Sequence, residues 1–375
     1  MSQPKLFSYP SLQSIVSYMS AGQRIFNIPR LLSQALNQSP FRMETLIIDS
    51  FRFIIDGLEI FFRSFGSPWG QTSFRGTKDD LEEIDLNDFH FTKSENFIIG
   101  FCSYQGRRMT AENLTLKIRD AMKKYLLYFL RNPLQIVNLL RIQNQDWDIE
   151  RPYFLLRPEH FPLADTPVKF RIQELELSGN MDTGLNSILP LILEKSFPLK
   201  SLNLEVCEQY SVLLKVTNPI FKRINGVKFK TTPGVDLEKI VSYLQELPHD
   251  NILLDTRRNE YYCEMQANII MDRLAYDWMK EHPPIGKKIS AVWNKEDWGD
   301  KYWTWWLDTR PGGYPRFAKM EIPELKSKTF PFVLSRGMIP STTELTVYGL
   351  EGPGENEITL VVEVMKLGTA RRIKK

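Results

Sequence analysis

Seven side chains are suited by type to hold a metal or attack a substrate: His90, His160, His249, His282, Cys102, Cys207 and Cys263. A zinc site needs ligands paired at short spacing so that four converge on one ion, and none of the seven has such a partner. No GxSxG elbow, P-loop or GxGxxG fingerprint is present, so neither an activated serine nor a nucleotide cradle is expected. Gly312-Gly313 near Arg310 is the closest approach to a phosphate cradle, but a lone glycine pair more simply makes a turn. Asp79 and Asp80 lie in a polar stretch, without the apolar surroundings that raise the pKa of a general acid. Five of the eight tryptophans fall between Trp293 and Trp306. They could stack on an aromatic or sugar-like ligand, or pack a small domain. The expectation is no catalytic residue, cofactor or metal. The alternative is a small-ligand-binding protein or an enzyme whose site lies near the tryptophans.

The elements around these residues follow one recurring pattern. Apolar-any-apolar triplets mark strands with one face buried. They are Leu114-Thr115-Leu116, Leu175-Glu176-Leu177, Leu202-Asn203-Leu204, Val227-Lys228-Phe229 and Ile252-Leu253-Leu254, with a weaker copy around Val137-Asn138-Leu139. Between them lie stripes at helical spacing: Met122, Tyr125, Leu126 and Phe129; Leu237, Ile240, Val241 and Leu244; Ala267, Ile270, Met271, Leu274 and Trp278. One strand–helix unit cannot bury its own apolar face, so the units must stack. The expected fold class is α/β, an irregular leucine-rich-repeat-like strand–helix array. It carries an N-terminal helical and hairpin module and a C-terminal β-rich cap. If the array is continuous, Leu116, Leu177, Leu204, Phe229 and Leu254 should share one core.

Composition narrows the class. The chain has 375 residues, 42% hydrophobic and 25% charged, with a net charge of +3. These are values of a globular protein, and the interspersed signs lack the basic stripe of a nucleic-acid binder. No apolar run reaches the roughly 18 residues of a membrane span, and the start lacks the features of a signal peptide. Three scattered cysteines suit reduced thiols, so a cytoplasmic location is expected, with the nucleus as the other compartment.

Taken in order, residues 1–40 form a helical module, opened by Tyr9-Pro10-Ser11 and striped by Leu12, Ile15, Val16 and Met19. That stripe either packs on the array or docks a partner helix. Residues 41–110 hold a β-hairpin turning at Asp56-Gly57, an acid-rich surface loop over 66–96, and a strand over Phe97–Tyr104. Residues 111–284 are the repeat array, with Gln143–Pro167 an inserted loop. Residues 285–375 are the Trp-rich cap, with strands over Glu344–Tyr348 and Glu357–Val364.

The opening Leu6-Phe7-Ser8-Tyr9-Pro10-Ser11-Leu12-Gln13-Ser14-Ile15-Val16-Ser17-Tyr18-Met19 resembles a nematode-expanded family of uncharacterised proteins. That family has a domain of unknown function and is similar to F-box and F-box-associated proteins. Phe197-Pro198-Leu199-Lys200-Ser201-Leu202 and Glu357-Ile358-Thr359-Leu360-Val361-Val362 extend the resemblance. It implies a non-enzymatic interaction protein that recruits substrates to a ubiquitin ligase, with a ligase adaptor subunit docked on Leu12, Ile15, Val16 and Met19. The residues between the strand apolars supply a second expected surface. Thr115, Glu174, Glu176, Ser201, Asn203, Glu205 and Lys228 would line an open sheet face and meet a protein of complementary charge.

Overall fold

The computed structural model describes residues 42–64, 82–86, 89–93, 97–102, 136–144, 171–206, 213–231, 235–255, 262–294, 318–321, 333–337 and 342–372. Single positions within these ranges are excepted, and positions 166 and 169 and part of a helical stretch over 120–127 are added. The N-terminal module, Thr115, Leu116 and most of Gln143–Pro167 lie outside the described residues. The fold is mixed α/β, in two compact units: Met1–Lys200 with Tyr210–Leu213, and Ser201–Gln209 with Leu214–Lys375.

The first unit begins with strands β1 (Arg42–Ile48), β2 (Arg52–Ile55) and β3 (Leu58–Ser64), paired antiparallel in turn. Asp56 and Gly57 both have positive φ, 48° and 86°, as the two-residue turn of the expected hairpin requires. The Asp56 carboxylate accepts from the Thr45 backbone N–H at 2.9 Å, tying this turn to β1. Strand β6 (Phe97–Cys102) lies parallel to β3 and antiparallel to β5 (Phe89–Lys93), which pairs with β4 (Glu82–Leu86). The acid-rich stretch over 66–96 is therefore not wholly loop. Its end is a hairpin, because Ile84, Leu86, Phe89 and Phe91 recur at every second or third position among the acids.

On the other side, β7 (Ile136–Asn144) runs parallel to β1, and β8 (Arg171–Gly179) runs parallel to β7. Leu46, Ile48, Phe53, Ile55, Leu140, Ile142, Leu175 and Leu177 are fully buried. Helix α1 (Met181–Ile188) follows β8 at once, its N-terminus capped by Asn180, which accepts from the Thr183 N–H at 3.1 Å. A Cβ on Gly184 would stand 3.3 Å from Ile142 and 3.8 Å from Leu177, so α1 lies directly on the Leu177 side of β7 and β8. Upstream, Met122 and Leu126 of the first helical stripe are helical and fully buried.

The second unit is built on four parallel strands in chain order: β9 (Ser201–Val206), β10 (Val227–Thr231), β11 (Asn251–Leu254) and β12 (Lys288–Asn294). Leu204, Phe229 and Leu254 are in register and buried, as the triplets predict. Leu177 is buried in the first unit. Helix α2 (Leu237–Glu246) joins β10 to β11, and α3 (Tyr262–Glu281) joins β11 to β12. Both helices show the predicted apolar stripes: Ile240, Val241 and Leu244 are buried in α2, and Ile270, Met271, Leu274 and Trp278 in α3. Asp236 caps α2, accepting from the N–H groups of Glu238 and Lys239 at 3.1 and 3.2 Å. Leu247-Pro248 and His282-Pro283-Pro284 end the two helices, because proline cannot continue the ladder. Gln245 of α2 donates to Asp277 of α3 at 2.7 Å, so the helices lie side by side, as the right-handed rule for crossovers between parallel neighbours requires. The Phe229 and Tyr243 rings, 6.1 Å apart, mark the side on which α2 sits.

The last strands extend the same ladder. Strand β16 (Glu357–Lys366) pairs antiparallel with β12, from Lys288 opposite Glu363 to Asn294 opposite Glu357. Beyond it come β15 (Thr343–Glu351), β14 (Val333–Gly337), β13 (Ala318–Glu321) and the short β17 (Arg371–Arg372). The two strands expected around Gly352-Pro353-Gly354 are thus present as a hairpin. Of the clustered tryptophans, Trp293 falls in β12 and the other four lie outside the described residues.

Candidate functional site

Alternation along β8 puts Glu174, Glu176 and Ser178 on the face opposite Leu175 and Leu177. That face is not open as expected at Glu176. The side chain is 1% exposed, opposite Arg141 of β7, which is 9% exposed. Glu176 Oε1 lies 2.7 Å from Arg141 Nε, an ion-pair distance without hydrogen-bond alignment, and the Ser178 hydroxyl is buried on the same face. Glu174 is half-buried and meets exposed Lys200 at 2.8 Å. Period-2 spacing tells that Glu176 points away from Leu175 and Leu177. It does not tell whether that direction is covered.

In the second unit the expected residues divide the same way. Ser201 and Asn203 are buried, 4% exposed each, and the Ser201 hydroxyl donates to Asn203 Oδ1 at 3.0 Å. They too depart from the open face expected of them, since a polar pair satisfied within its own strand can be covered at little cost. Glu205 and Lys228 are half-buried. In register, Lys228 stands between Asn203 and Leu253, and Glu205 stands opposite Lys230. Lys230 and Leu253, also half-buried, belong to this face and were not among the residues expected there. The signal was available: Lys230 is two positions beyond Lys228 on the same strand.

Farther along the same sheet face, Tyr348 of β15 donates a short hydrogen bond to Glu363 of β16. Burial first, and then this bond and the carboxylate charge, push the phenol pKa above its ordinary value. The edge of the helix layer holds a buried cation. Lys287 Nζ donates to the carbonyls of Gln245 and Leu247, 3.2 and 3.4 Å away, at the C-terminal end of α2. Burial lowers its pKa, and the nearby Asp250 and Glu281 charges only partly oppose this. A lysine lowered below its unfolded value binds less proton in the native state, so stability should rise with pH from the lowered value up to 10.5. Replacing Lys287→Met should flatten that alkaline rise in urea-denaturation midpoints.

Among the described residues, those able to ligate or catalyse do not converge. His249 Nε2 lies 2.6 Å from the Phe221 carbonyl oxygen, its ring edge-on to Phe221, which makes it a packed structural histidine. His282 is exposed at the end of α3, with φ 52°. Among the described residues no group of His, Cys, Asp or Glu side chains is placed to hold a metal ion. Likewise, no helix among them is long and apolar enough to cross a membrane.

The parallel strands β7 to β12 and helices α1 to α3 coincide with a recognisable stretch of sequence. A domain of unknown function, DUF3557, covers residues 117–295. The DUF3557 stretch takes in β7 to β12 and α1 to α3, and leaves β1–β6 and β13–β17 outside. It is consistent with an uncharacterised family. No curated protein and no solved structure matches the chain. Leu12, Ile15, Val16, Met19 and Thr115 all precede the DUF3557 stretch and lie outside the described residues.

Proposed function

We propose that the chain is a non-enzymatic protein-interaction protein that binds through the polar sheet face of β9 to β11. The observation that carries this reading is the partial exposure of this face beyond the buried Ser201 and Asn203. Helices α2 and α3 occupy one face, and on the other Glu205, Lys228, Lys230 and Leu253 keep part of their surface in solvent. The face carries both signs, with the apolar Leu253 beside Lys228. Such a mixture suits a protein of complementary charge better than the uniform phosphates of a nucleic acid. The leucine-rich-repeat-like array belongs to the same proposal, supported by four parallel strands in chain order with helices on one side. Changing Lys228→Glu should reduce recovery of bound proteins in a pull-down read by mass spectrometry while the melting temperature stays near that of the parent. Unchanged recovery would remove this face from the proposal.

The proposal extends to a cytoplasmic substrate-recruiting adaptor of a ubiquitin ligase. Its support is the F-box-like resemblance and the helical spacing of Leu12, Ile15, Val16 and Met19. On this reading the pair Leu12→Ala and Ile15→Ala abolishes binding of the ligase adaptor subunit and leaves the melting temperature unchanged. A fall in melting temperature instead would mark the stripe as a structural cap, since each buried Leu or Ile truncated costs about 2–5 kcal/mol.

A further inference from the structure

No further inference is drawn: the strongest candidate, the surface patch made by Ile285 and Leu367 at the turns beside β12 and β16, exposes two apolar side chains, but nothing in the structure shows what covers it.

Discussion

Replacing Glu176→Ala should destabilise the protein by about 3–5 kcal/mol, measured as the loss of unfolding free energy in urea. The size follows from where the carboxylate sits. Arg141 and Glu176 face each other across the β7–β8 pairing, 2.7 Å apart and 9% and 1% exposed. Removing the acid strands a guanidinium that water reaches poorly, and desolvation of that single charge is the cost. Removing both charges should not be additive. With Arg141→Met and Glu176→Leu together, two apolar side chains of similar volume fill the space, and stability should return to the parent value or exceed it. A loss under about 1 kcal/mol for Glu176→Ala alone would mean that water reaches the pair and screens it. The double substitution separates charge burial from packing, because only charge burial predicts the recovery.

The second large effect belongs to the helix layer of the other unit. Trp278 is 2% exposed on α3, on the stripe with Ile270, Met271 and Leu274. Truncation to alanine removes the largest fully buried side chain among the described residues. It should cost about 3–5 kcal/mol, the sum of lost transfer energy and the cavity left behind. Ile269 offers an internal control on the same helix, since at 42% exposure it faces solvent. Its alanine variant should stay within about 0.5 kcal/mol of the parent. Equal losses at the two positions would show that the outer face of α3 is buried as deeply as the inner one.

These two sites also show what the sequence made legible. The α3 stripe could be read directly, because the apolar residues from Ala267 to Trp278 recur three and four apart. The triplets at Leu175, Leu202, Val227 and Ile252 likewise became β8 to β11, and Asp56-Gly57 became the hairpin turn. Helix α1 carries no such signal. Its eight residues, closed by Pro190, are too few to display a period, and its start is set by Asn180 more than by apolar spacing. Strand β12 was hidden for a different reason. Its edge toward Trp293 reads like the tryptophan-rich stretch after it, although its hydrogen bonds belong to β11 on one side and β16 on the other.

The candidate face was legible only as a direction. Alternation placed Glu176, Ser201, Asn203 and Lys228 opposite the core side chains, which holds for each strand. Whether a second layer covers that side depends on long-range packing, on which period-2 spacing is silent. Glu176, Ser201 and Asn203 turned out covered, while Lys228 and Glu205 remained partly open. Arg141, the partner that makes Glu176 tolerable in the interior, lies about 35 residues upstream in the weakest of the triplet regions. Nothing local to Glu176 announces it.

Of the open residues, Lys228 lies nearest the centre of the proposed surface, beside Leu253 and one strand from Asn203. Reversing one charge at the middle of a recognition face weakens a complementary partner through like-charge contact, with little change in the fold that carries it. The most direct test is therefore a side-by-side capture of partners by the parent chain and by Lys228→Glu, with melting curves recorded on the same preparations. The expected result is a partner set recovered by the parent and depleted in the variant at an equal melting temperature. Recovery of the same proteins in the same amounts by both chains would contradict it.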